Sequence, residues 1–393
     1  MNTFVINSIV LKVVAPCNLN CSYCYEYNRG DSTWKDMPKQ ISSETAACIG
    51  MRISEYASSV SKKHFQINLH GGEPTMLGGK GLERVITTLI NSAKNVKLHF
   101  GMQTNATLIS EEIIAVLIKY QVKVGVSLDG GFTTNRHRVD HLGRSTWNKT
   151  INGLTKIKEA GLLSGIQAVI DLDSDPKDVL ENLSQFSPKI IDFSQPFGNH
   201  DNPPLAFGKK FSLGEWLTKA FDYWVSTPSM DSIRMGILAD AVYGIYTEKP
   251  ASEWFPAIPP GFIVVSTGGS YEGLDALKVV GTEGRVLGLN SKDDSIIDAL
   301  NHKFIGLRSQ TESLCEECSK CSIVKWCSGG YFPTRYGKDN GFNNPSVYCE
   351  DLKILFSHIG KWLVSLGHVP DLKKIIISEK LNKLQFSKLS LEH

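Results

Sequence analysis

The sequence lacks three features that would place it among membrane, secreted or nucleic-acid-binding proteins. It has no apolar run of transmembrane length, and its most apolar stretch, Ile6–Ala15, is interrupted by Lys12. That stretch continues into a cysteine-rich loop, so it predicts a buried strand rather than a signal peptide. The net charge of 393 residues is only +2, which does not favour nucleic acid as a partner. We therefore expect a cytoplasmic protein that binds neither membrane nor nucleic acid.

Cysteine, by contrast, is present nine times. In a chain without an export signal, such usage favours metal ligation over disulfides. Hydrophobic residues make up 41% and charged residues 21% of the sequence, which is ordinary for a globular protein with a large core. The length suffices for one large barrel or for two domains.

The first cysteine cluster is Cys17, Cys21 and Cys24, a CxxxCxxC loop directly after the first predicted strand. Three thiolates can hold three irons of a four-iron cubane and leave the fourth iron open for an exogenous ligand. The alternative is a zinc knuckle completed by a distant residue. Two features argue against zinc: the aromatic Tyr23 before the third cysteine, and Gly71-Gly72-Glu73-Pro74 further on. The spacing is typical of radical S-adenosylmethionine (SAM) enzymes.

Strand and helix patterns alternate through the first half of the chain. Strands are predicted at 6–14, 64–70, 96–104, 122–128, 166–171 and 190–194, and helices at 42–59, 82–93, 111–120, 147–160 and 176–186. This alternation predicts an α/β fold with a parallel sheet and right-handed crossovers. Six units rather than eight indicate a partial (β/α)6 TIM barrel with its chemistry at the carboxyl ends of the strands.

A passage rich in proline and glycine at 195–211 interrupts this rhythm and marks a boundary. We expect a partial barrel at 1–210, a helical linker region at 211–260, a cysteine-rich domain at 261–370 and a C-terminal extension at 371–393.

The polar motifs fall at predicted strand ends and suggest a SAM pocket. Gly71 and Gly72 permit close backbone approach, Glu73 offers a carboxylate to a methionine ammonium group, and Pro74 ends the turn. Short polar groups that suit a ribose or a carboxylate follow the next two strands, and a guanidinium that suits bidentate carboxylate binding comes after them. These residues are Thr104, Asn105, Ser127 and Arg138.

The second cysteine set lies near the C-terminus. Cys318, Cys321, Cys327 and Cys349 supply four thiolates, enough to close an auxiliary cluster, and structural zinc is the alternative. Cys315 is left over as a spare thiol or an alternate ligand.

At these motifs the chain resembles radical SAM enzymes with a SPASM-type C-terminal domain. It is most similar to the peptide maturases that form three-residue cyclophanes in ribosomally made peptides. The residues that carry this resemblance are Asp31–Pro38, His70–Pro74, Ile191–Phe193, Gly269–Lys278 and Arg335–Cys349. The resemblance implies that a deoxyadenosyl radical removes a β-hydrogen and that the carbon radical then bonds to an aromatic ring two positions earlier. It also implies SAM, [4Fe-4S] clusters, a precursor peptide and an electron donor such as flavodoxin or ferredoxin as cofactors and partners.

The sequence departs from that family pattern at three positions. Leu274 and Tyr331 stand where a full SPASM domain has cysteines, and Ser328 replaces a glycine. We therefore expect two [4Fe-4S] clusters in all, one SAM-binding and one auxiliary in a SPASM-like domain. The auxiliary cluster would accept an electron after ring closure or serve the fold. Leader-peptide binding is expected to use the C-terminal half or another protein.

Four residues near predicted strand ends or the following loop are candidates for the base that takes the final proton, namely Asp129, Asp192, His70 and His200. Two other functions stay open. One is a sulfatase-maturating enzyme of the same superfamily, which oxidises serine or cysteine to formylglycine and usually keeps both auxiliary clusters. The other is a non-enzymatic scaffold with zinc at both cysteine sets.

Overall fold

The structure, a computed structural model, describes residues 5–205, 210–247, 254–255, 261–281, 286–302 and 314–367. The chain divides into two compact units. The first contains the described residues of 1–128, 135–164 and 260–307, and the second those of 129–134, 165–259 and 308–393. The domain boundaries expected from the sequence stay predictions, and the extension at 371–393 lies outside the described residues. No helix in the described ranges is long and apolar enough to cross a membrane.

The strands of the described residues are numbered in chain order. They are β1 (Ser8–Val14), β2 (His64–Gly71), β3 (Lys97–Thr104), β4 (Lys123–Ser127), β5 (Leu163–Val169), β6 (Ile190–Ser194), β7 (Arg234–Met235), β8 (Phe262–Val265), β9 (Ser270–Glu272) and β10 (Val286–Asn290).

The α-helices alternate with the strands in the first half of the chain and follow one another later. They are α1 (Ser43–Ser59), α2 (Gly78–Ser92), α3 (Glu111–Lys119), α4 (Trp147–Glu159), α5 (Pro176–Ser184), α6 (Leu213–Ser226), α7 (Gly236–Thr247), α8 (Ile296–Leu300), α9 (Glu316–Ser319), α10 (Val324–Cys327) and α11 (Cys349–Ser365).

In the first unit the strand order is β10-β9-β8-β1-β2-β3-β4. The strands from β8 to β4 pair in parallel, whereas β9 runs antiparallel to β8 and β10. The central strand β1 is buried at Ile9, Leu11 and Val13, which are fully inaccessible to solvent. Because parallel strands end at one edge of a sheet, the segments after β1, β2, β3 and β4 lie along the same edge. All the predicted motifs of this unit are at that edge.

In the second unit β5, β6 and β7 pair in parallel. The helix α6 packs against α5 and α11, and α7 packs against β6. Two buried tryptophans of α6 anchor it through their ring N–H groups. Trp216 donates to the Ser174 carbonyl and Trp224 to the Ile233 carbonyl, each at 3.1 Å. Burying an indole without a hydrogen-bond partner would be unfavourable, and these contacts remove that cost.

Several helices begin at a side chain that caps their first turn. Side chains of Ser42, Ser110 and Asp175 accept the first free N–H groups of α1, α3 and α5. Ser212 and Glu215 form a reciprocal capping box at the start of α6. The first four N–H groups of a helix have no acceptor within the helix. Side chains that accept from them therefore help to determine where the helix begins.

Candidate functional site

The three cysteines of the first loop lie close enough to act on one another. Cys21 is buried, and Cys17 and Cys24 are partly buried. Burial, then repulsion from Glu73 and from the other cysteines, raises the pKa of Cys17 to about 12. Burial and then repulsion from Cys21 raise the pKa of Cys24 to about 12. Thiols held protonated by desolvation and by one another need a strong cation to become thiolates. This donor set therefore fits an iron cluster.

A loop between β4 and α4 holds the cysteine loop in place. The Asn20 N–H donates to the Val139 carbonyl at 2.8 Å, and the Ser22 N–H donates to the His137 carbonyl at 3.2 Å. The His141 Nε2 lies 2.9 Å from the carbonyl oxygen of Cys17. Residue spacing could not predict these contacts, because they join residues more than a hundred positions apart in the sequence.

The Gly71-Gly72 turn packs directly on the chain that enters the cysteine loop. A Cβ on Gly71 would lie 2.1 Å from the Val14 oxygen, and a Cβ on Gly72 would lie 2.0 Å from the Pro16 oxygen. Gly71 also has a φ of +129°, which L side chains rarely adopt. Both glycines are therefore required by close backbone contact, as the sequence predicted for this turn.

Glu73 is buried and connects the turn to the end of β3. Its Oε1 accepts hydrogen bonds from the Thr75 N–H at 3.0 Å and from the Thr104 hydroxyl at 2.6 Å. Its Oε2 accepts from the Asn105 N–H at 2.7 Å. Burial raises the pKa of Glu73, while these donors lower it. Oε1 also accepts from the Thr75 hydroxyl at 2.5 Å. Since Oε2 has a single donor, the acceptor position left for an ammonium group is on Oε2.

Asn105 connects β3 to the cysteine loop. Its Nδ2 donates to Asn18 Oδ1 at 2.9 Å, and its Oδ1 accepts from the Thr107 hydroxyl at 2.7 Å. The Nδ2 also lies 3.9 Å from the sulfur of Cys17. The side chains of Thr104 and Asn105 therefore brace the turn and the loop, in addition to the SAM contacts predicted for them.

Three more of the predicted pocket residues, Arg138, Tyr23 and Ser127, form hydrogen bonds in the first unit. The guanidinium of Arg138 is buried and donates to the Tyr23 hydroxyl at 2.9 Å. Ser127 at the end of β4 accepts from the Gln103 side chain at 2.8 Å. The structure thus brings Tyr23 and Arg138 together beside the third cysteine, which agrees with a shared role. Their binding of SAM stays a prediction.

A buried ion network that the sequence reasoning missed lies at the same edge of the sheet. Lys12 of β1 bonds to Glu26 and, at 2.7 Å, to Asp275, and Lys278 bonds to Glu26 as well. Burial acts to lower the pKa of Lys12, but the carboxylates of Asp275 and Glu272 outweigh it and raise that pKa. The one available signal was the interruption of an apolar strand by a lysine, because a buried charge needs a partner.

A cavity of about 20 Å³ opens beside this network. Its lining includes Lys12, Glu26, Trp34, Gly72 and Lys278. Gly72 of the GGEP turn and the residues of the charged network therefore line the same cavity.

The four candidate bases have different surroundings. His70, in the first unit, is partly buried, and desolvation lowers its pKa. In the second unit, buried Asp129 accepts from the Val169 N–H at 3.0 Å. Asp192 caps the start of α7 through the Ile237 N–H at 3.1 Å, and desolvation, with repulsion from Asp240, raises its pKa to about 6.

His200, the last candidate, is exposed, and its Nε2 lies 2.9 Å from the Pro345 carbonyl oxygen. That contact makes Nε2 the donor and leaves the acceptor lone pair on Nδ1. The assignment of the base to any of the four stays a prediction.

The second cysteine set surrounds one cavity of about 140 Å³ in the second unit. Cys318, Cys321, Cys327 and Cys349 line it together with apolar side chains. Cys315 is outside this lining, but its thiol bonds to that of Cys318 and, after burial, is the next cause of the raised pKa of Cys318. No group of three or more His, Cys, Asp or Glu side chains in the described residues is arranged to hold a single metal ion.

Comparison with known proteins identifies the fold of this site. Residues 12–183 match the Radical SAM superfamily, a stretch that contains the cysteine loop, the GGEP turn and Arg138. This segment is similar to radical SAM domains. The match includes every predicted cofactor residue of the first unit, and radical SAM domains use a [4Fe-4S] cluster and SAM.

Two relatives cover most of the chain. A cysteine-type anaerobic sulfatase-maturating enzyme of Clostridium perfringens is 25% identical over 370 residues, which is 90% of this chain and 95% of the relative. The radical SAM cyclopropyl synthase TigE of Paramaledivibacter caminithermalis is 25% identical over 353 residues, which is 84% of this chain and 70% of TigE.

The solved structure of native anSMEcpe with bound AdoMet and Cp18Cys peptide has the same fold. Its TM-score is 0.76 at 22% identity, and the match covers 91% of this chain and 98% of that one. The likeness confirms the predicted fold class: a mixed α/β fold with a parallel sheet, a partial barrel and a C-terminal extension beyond the radical SAM core.

Proposed function

We propose that the chain is a radical SAM peptide maturase that joins an aromatic side chain to a β-carbon in a ribosomally synthesised precursor peptide. A peptide substrate is supported by the relatives, since the anSMEcpe structure holds a peptide. The finer assignment rests on the residues at two positions where a full SPASM domain has cysteines. Leu274 is buried, and the ring of Tyr331 packs 4.8 Å from that of Trp254. Apolar side chains therefore stand where the ligands of an inner auxiliary cluster would be.

The residues at hand fit one SAM-binding and one auxiliary cluster. Cys17, Cys21 and Cys24 would hold the first, and Cys318, Cys321, Cys327 and Cys349 the second. The four cysteines of the second set line a cavity of about 140 Å³. In the part of the chain that the structure describes, no three of them are arranged to hold a single metal ion, which supports a cubane over zinc. When bound and reduced, the first cluster with SAM supplies a deoxyadenosyl radical.

The chain itself contributes positioning to this chemistry. Glu73 and the Gly71-Gly72 backbone form the turn that meets the methionine ammonium group, and Arg138 with Tyr23 borders the third cysteine. These groups are held by hydrogen bonds and by close backbone contact before any ligand arrives. Preorganisation of this kind keeps the reacting atoms in line without a further entropic cost.

Formylglycine formation is the second candidate. Sequence similarity favours it at least as much, because the sulfatase-maturating relative covers 90% of this chain. The residues at 274 and 331 count against it, since the resemblance to that group implies cysteines at both positions.

The deciding experiment uses the reconstituted protein under anaerobic conditions with SAM, a reductant and a peptide encoded beside its gene. We expect loss of two hydrogens per crosslink and fragmentation that shows an aromatic carbon joined to a β-carbon. A sulfatase-type cysteine peptide and a hydrazine reagent for aldehydes form the second arm. An aldehyde on that peptide, with the neighbouring peptide unchanged, would replace the proposed reaction with formylglycine formation. The Cys17→Ala variant serves as the inactive control in both arms.

A further inference from the structure

A buried arginine lies against the second cysteine set. Arg335 ends a short 3-10 helix, Phe332–Arg335, and only 1% of it is exposed. Its Nε donates to the Asn344 carbonyl at 3.3 Å. Its Nη1 is 3.4 Å from the place where a Cβ on Gly329 would stand, and Gly329 lines the cysteine cavity. The guanidinium therefore reaches the wall of that cavity.

Cys318, Cys315 and Cys327 lie close enough to the guanidinium of Arg335 to interact with it electrostatically. A guanidinium stays protonated in proteins, so this side chain is a permanent buried cation beside the thiols. Buried charges interact more strongly than exposed ones because water does not screen them.

Cys327 also receives two backbone donors. The N–H groups of Gly329 and Gly330 are donors at Cys327, and that of Gly330 lies 2.8 Å from the Cys327 carbonyl oxygen. Ser328, Gly329 and Gly330 have φ values of +52°, +83° and +77°. Successive residues of this kind turn their N–H groups towards one point and form an anion-binding concavity.

Positive charge and N–H donors at the sulfurs stabilise the more negative, reduced state of an iron–sulfur cluster. We propose that Arg335 and the Gly329–Gly330 donors raise the reduction potential of the auxiliary site, which makes it an electron acceptor rather than only a structural element. This inference rests on the proposed function for the presence of a cluster there.

The reaction requires such an acceptor. After the carbon–carbon bond has formed, the product radical loses one electron and one proton. The electron goes to the auxiliary site and from there to a protein electron carrier, and the proton goes to a basic side chain.

The chain offers a second cation at the same cavity as a contrast. Lys353 lines the cavity, but its side chain is 38% exposed and pairs with Glu350 at the surface. Lys353 also attracts the Cys349 thiol, but solvent screens its charge, so its effect on the potential should be smaller than that of Arg335. Arg335→Met and Lys353→Met therefore remove one positive charge each, in buried and exposed positions.

The test is a redox titration followed by electron paramagnetic resonance, on protein reconstituted with iron and sulfide and without any peptide. We expect the midpoint of the auxiliary signal to shift to more negative potential in Arg335→Met, to shift less in Arg335→Lys, and to stay near wild type in Lys353→Met. The signal of the SAM-binding cluster in the same sample is the internal reference. An unchanged midpoint in Arg335→Met at full iron content would overturn the inference.

If the Arg335→Met variant loses iron, the inference is tested on the midpoint potentials of the wild-type protein instead. There the auxiliary midpoint must be more positive than that of the SAM-binding cluster, and the reverse order contradicts the inference. An iron content of roughly four rather than eight per chain would instead show that the auxiliary cluster itself is absent. The peptide reaction is measured separately by mass spectrometry, so the two failures are distinguishable.

Discussion

Glu73 shows how one side chain serves both the structure and the predicted chemistry of the site. Its two carboxylate oxygens accept hydrogen bonds from the turn that contains it and from the end of β3. The carboxylate therefore fixes the distance between two strand ends. Any ammonium group that binds there meets an acceptor already held in position.

Replacing Glu73 with glutamine should destabilise the fold even without a ligand. Whichever way the amide is turned, its NH₂ group faces an N–H or hydroxyl donor, and a buried donor loses its acceptor. We expect the free energy of unfolding to fall by about 2–3 kcal/mol. Urea denaturation of the cluster-free protein measures this. Glu83→Gln, at a surface pair with Lys119, is the control and should change little; equal stability of both variants would contradict this account.

At the residue scale, the sequence indicated candidate site residues but not their contacts. Spacing alone indicated Cys17, Cys21 and Cys24, because a shared cluster requires nearby thiols. The contacts of Asn105 could not be predicted from residue spacing, since its partner Asn18 is 87 positions away in the sequence. Folding brings such pairs together, and local spacing does not encode them.

At the scale of elements, hydrophobic periodicity predicted strands and helices well, and their ends less well. The helix expected at 82–93 begins at Gly78 instead, because Gly79 packs against Glu112 of α3, where a Cβ would lie 2.4 Å from a side-chain carbon. Glycine is a poor helix former, and only the tertiary contact explains its place in the first turn.

The turn between β2 and α2 should not tolerate a methyl group. In Gly72→Ala the new Cβ would lie 2.0 Å from the Pro16 oxygen and 2.2 Å from the Tyr27 hydroxyl. Backbone contacts of this kind cannot relax cheaply, so we expect a lower melting temperature and weaker iron loading.

The matched control is Gly360→Ala in α11, where no atom lies within 4 Å. There alanine should stabilise the helix by about 0.5–1 kcal/mol. Similar melting temperatures for the two variants would refute the packing argument.

The ion network connects β1, the loop after the cysteines and the segment after β9. Lys278→Met removes one cation from Glu26, which is 6% exposed and has no ready access to water. Glu26 keeps Lys12 as a partner, so we expect chemical denaturation to show a loss smaller than the roughly 3–5 kcal/mol that an uncompensated buried charge costs. Lys119→Met breaks an exposed pair and serves as the control. If removing Glu26 as well, in Glu26→Gln/Lys278→Met, recovers none of the loss, the pair does not account for it.

At the scale of the whole molecule, the order of strands and helices sufficed to predict the partial barrel, because alternating elements of these lengths leave few other solutions. The division of the chain into two compact units was less accessible. Each unit is assembled from three separate stretches of sequence, and one of them is the short segment 129–134. A linear boundary search cannot find such an arrangement, since it depends on contacts between distant stretches.

The two cysteine sets should act independently of each other in metal loading. Anaerobic reconstitution is expected to give roughly eight irons per chain in the wild type and about four in either Cys17→Ala or Cys327→Ala, because a cubane needs its thiolates.

SAM cleavage should be abolished in Cys17→Ala, because the first cysteine set is the one that leaves an iron open to bind SAM. Cys327→Ala should retain cleavage and lose crosslinked product, since the electron released after ring closure then has no acceptor. Iron analysis, deoxyadenosine release and peptide mass spectrometry on the same samples separate these outcomes. Full crosslinking by Cys327→Ala would show that the auxiliary site is dispensable, and zinc at both sets without iron would remove the radical chemistry altogether.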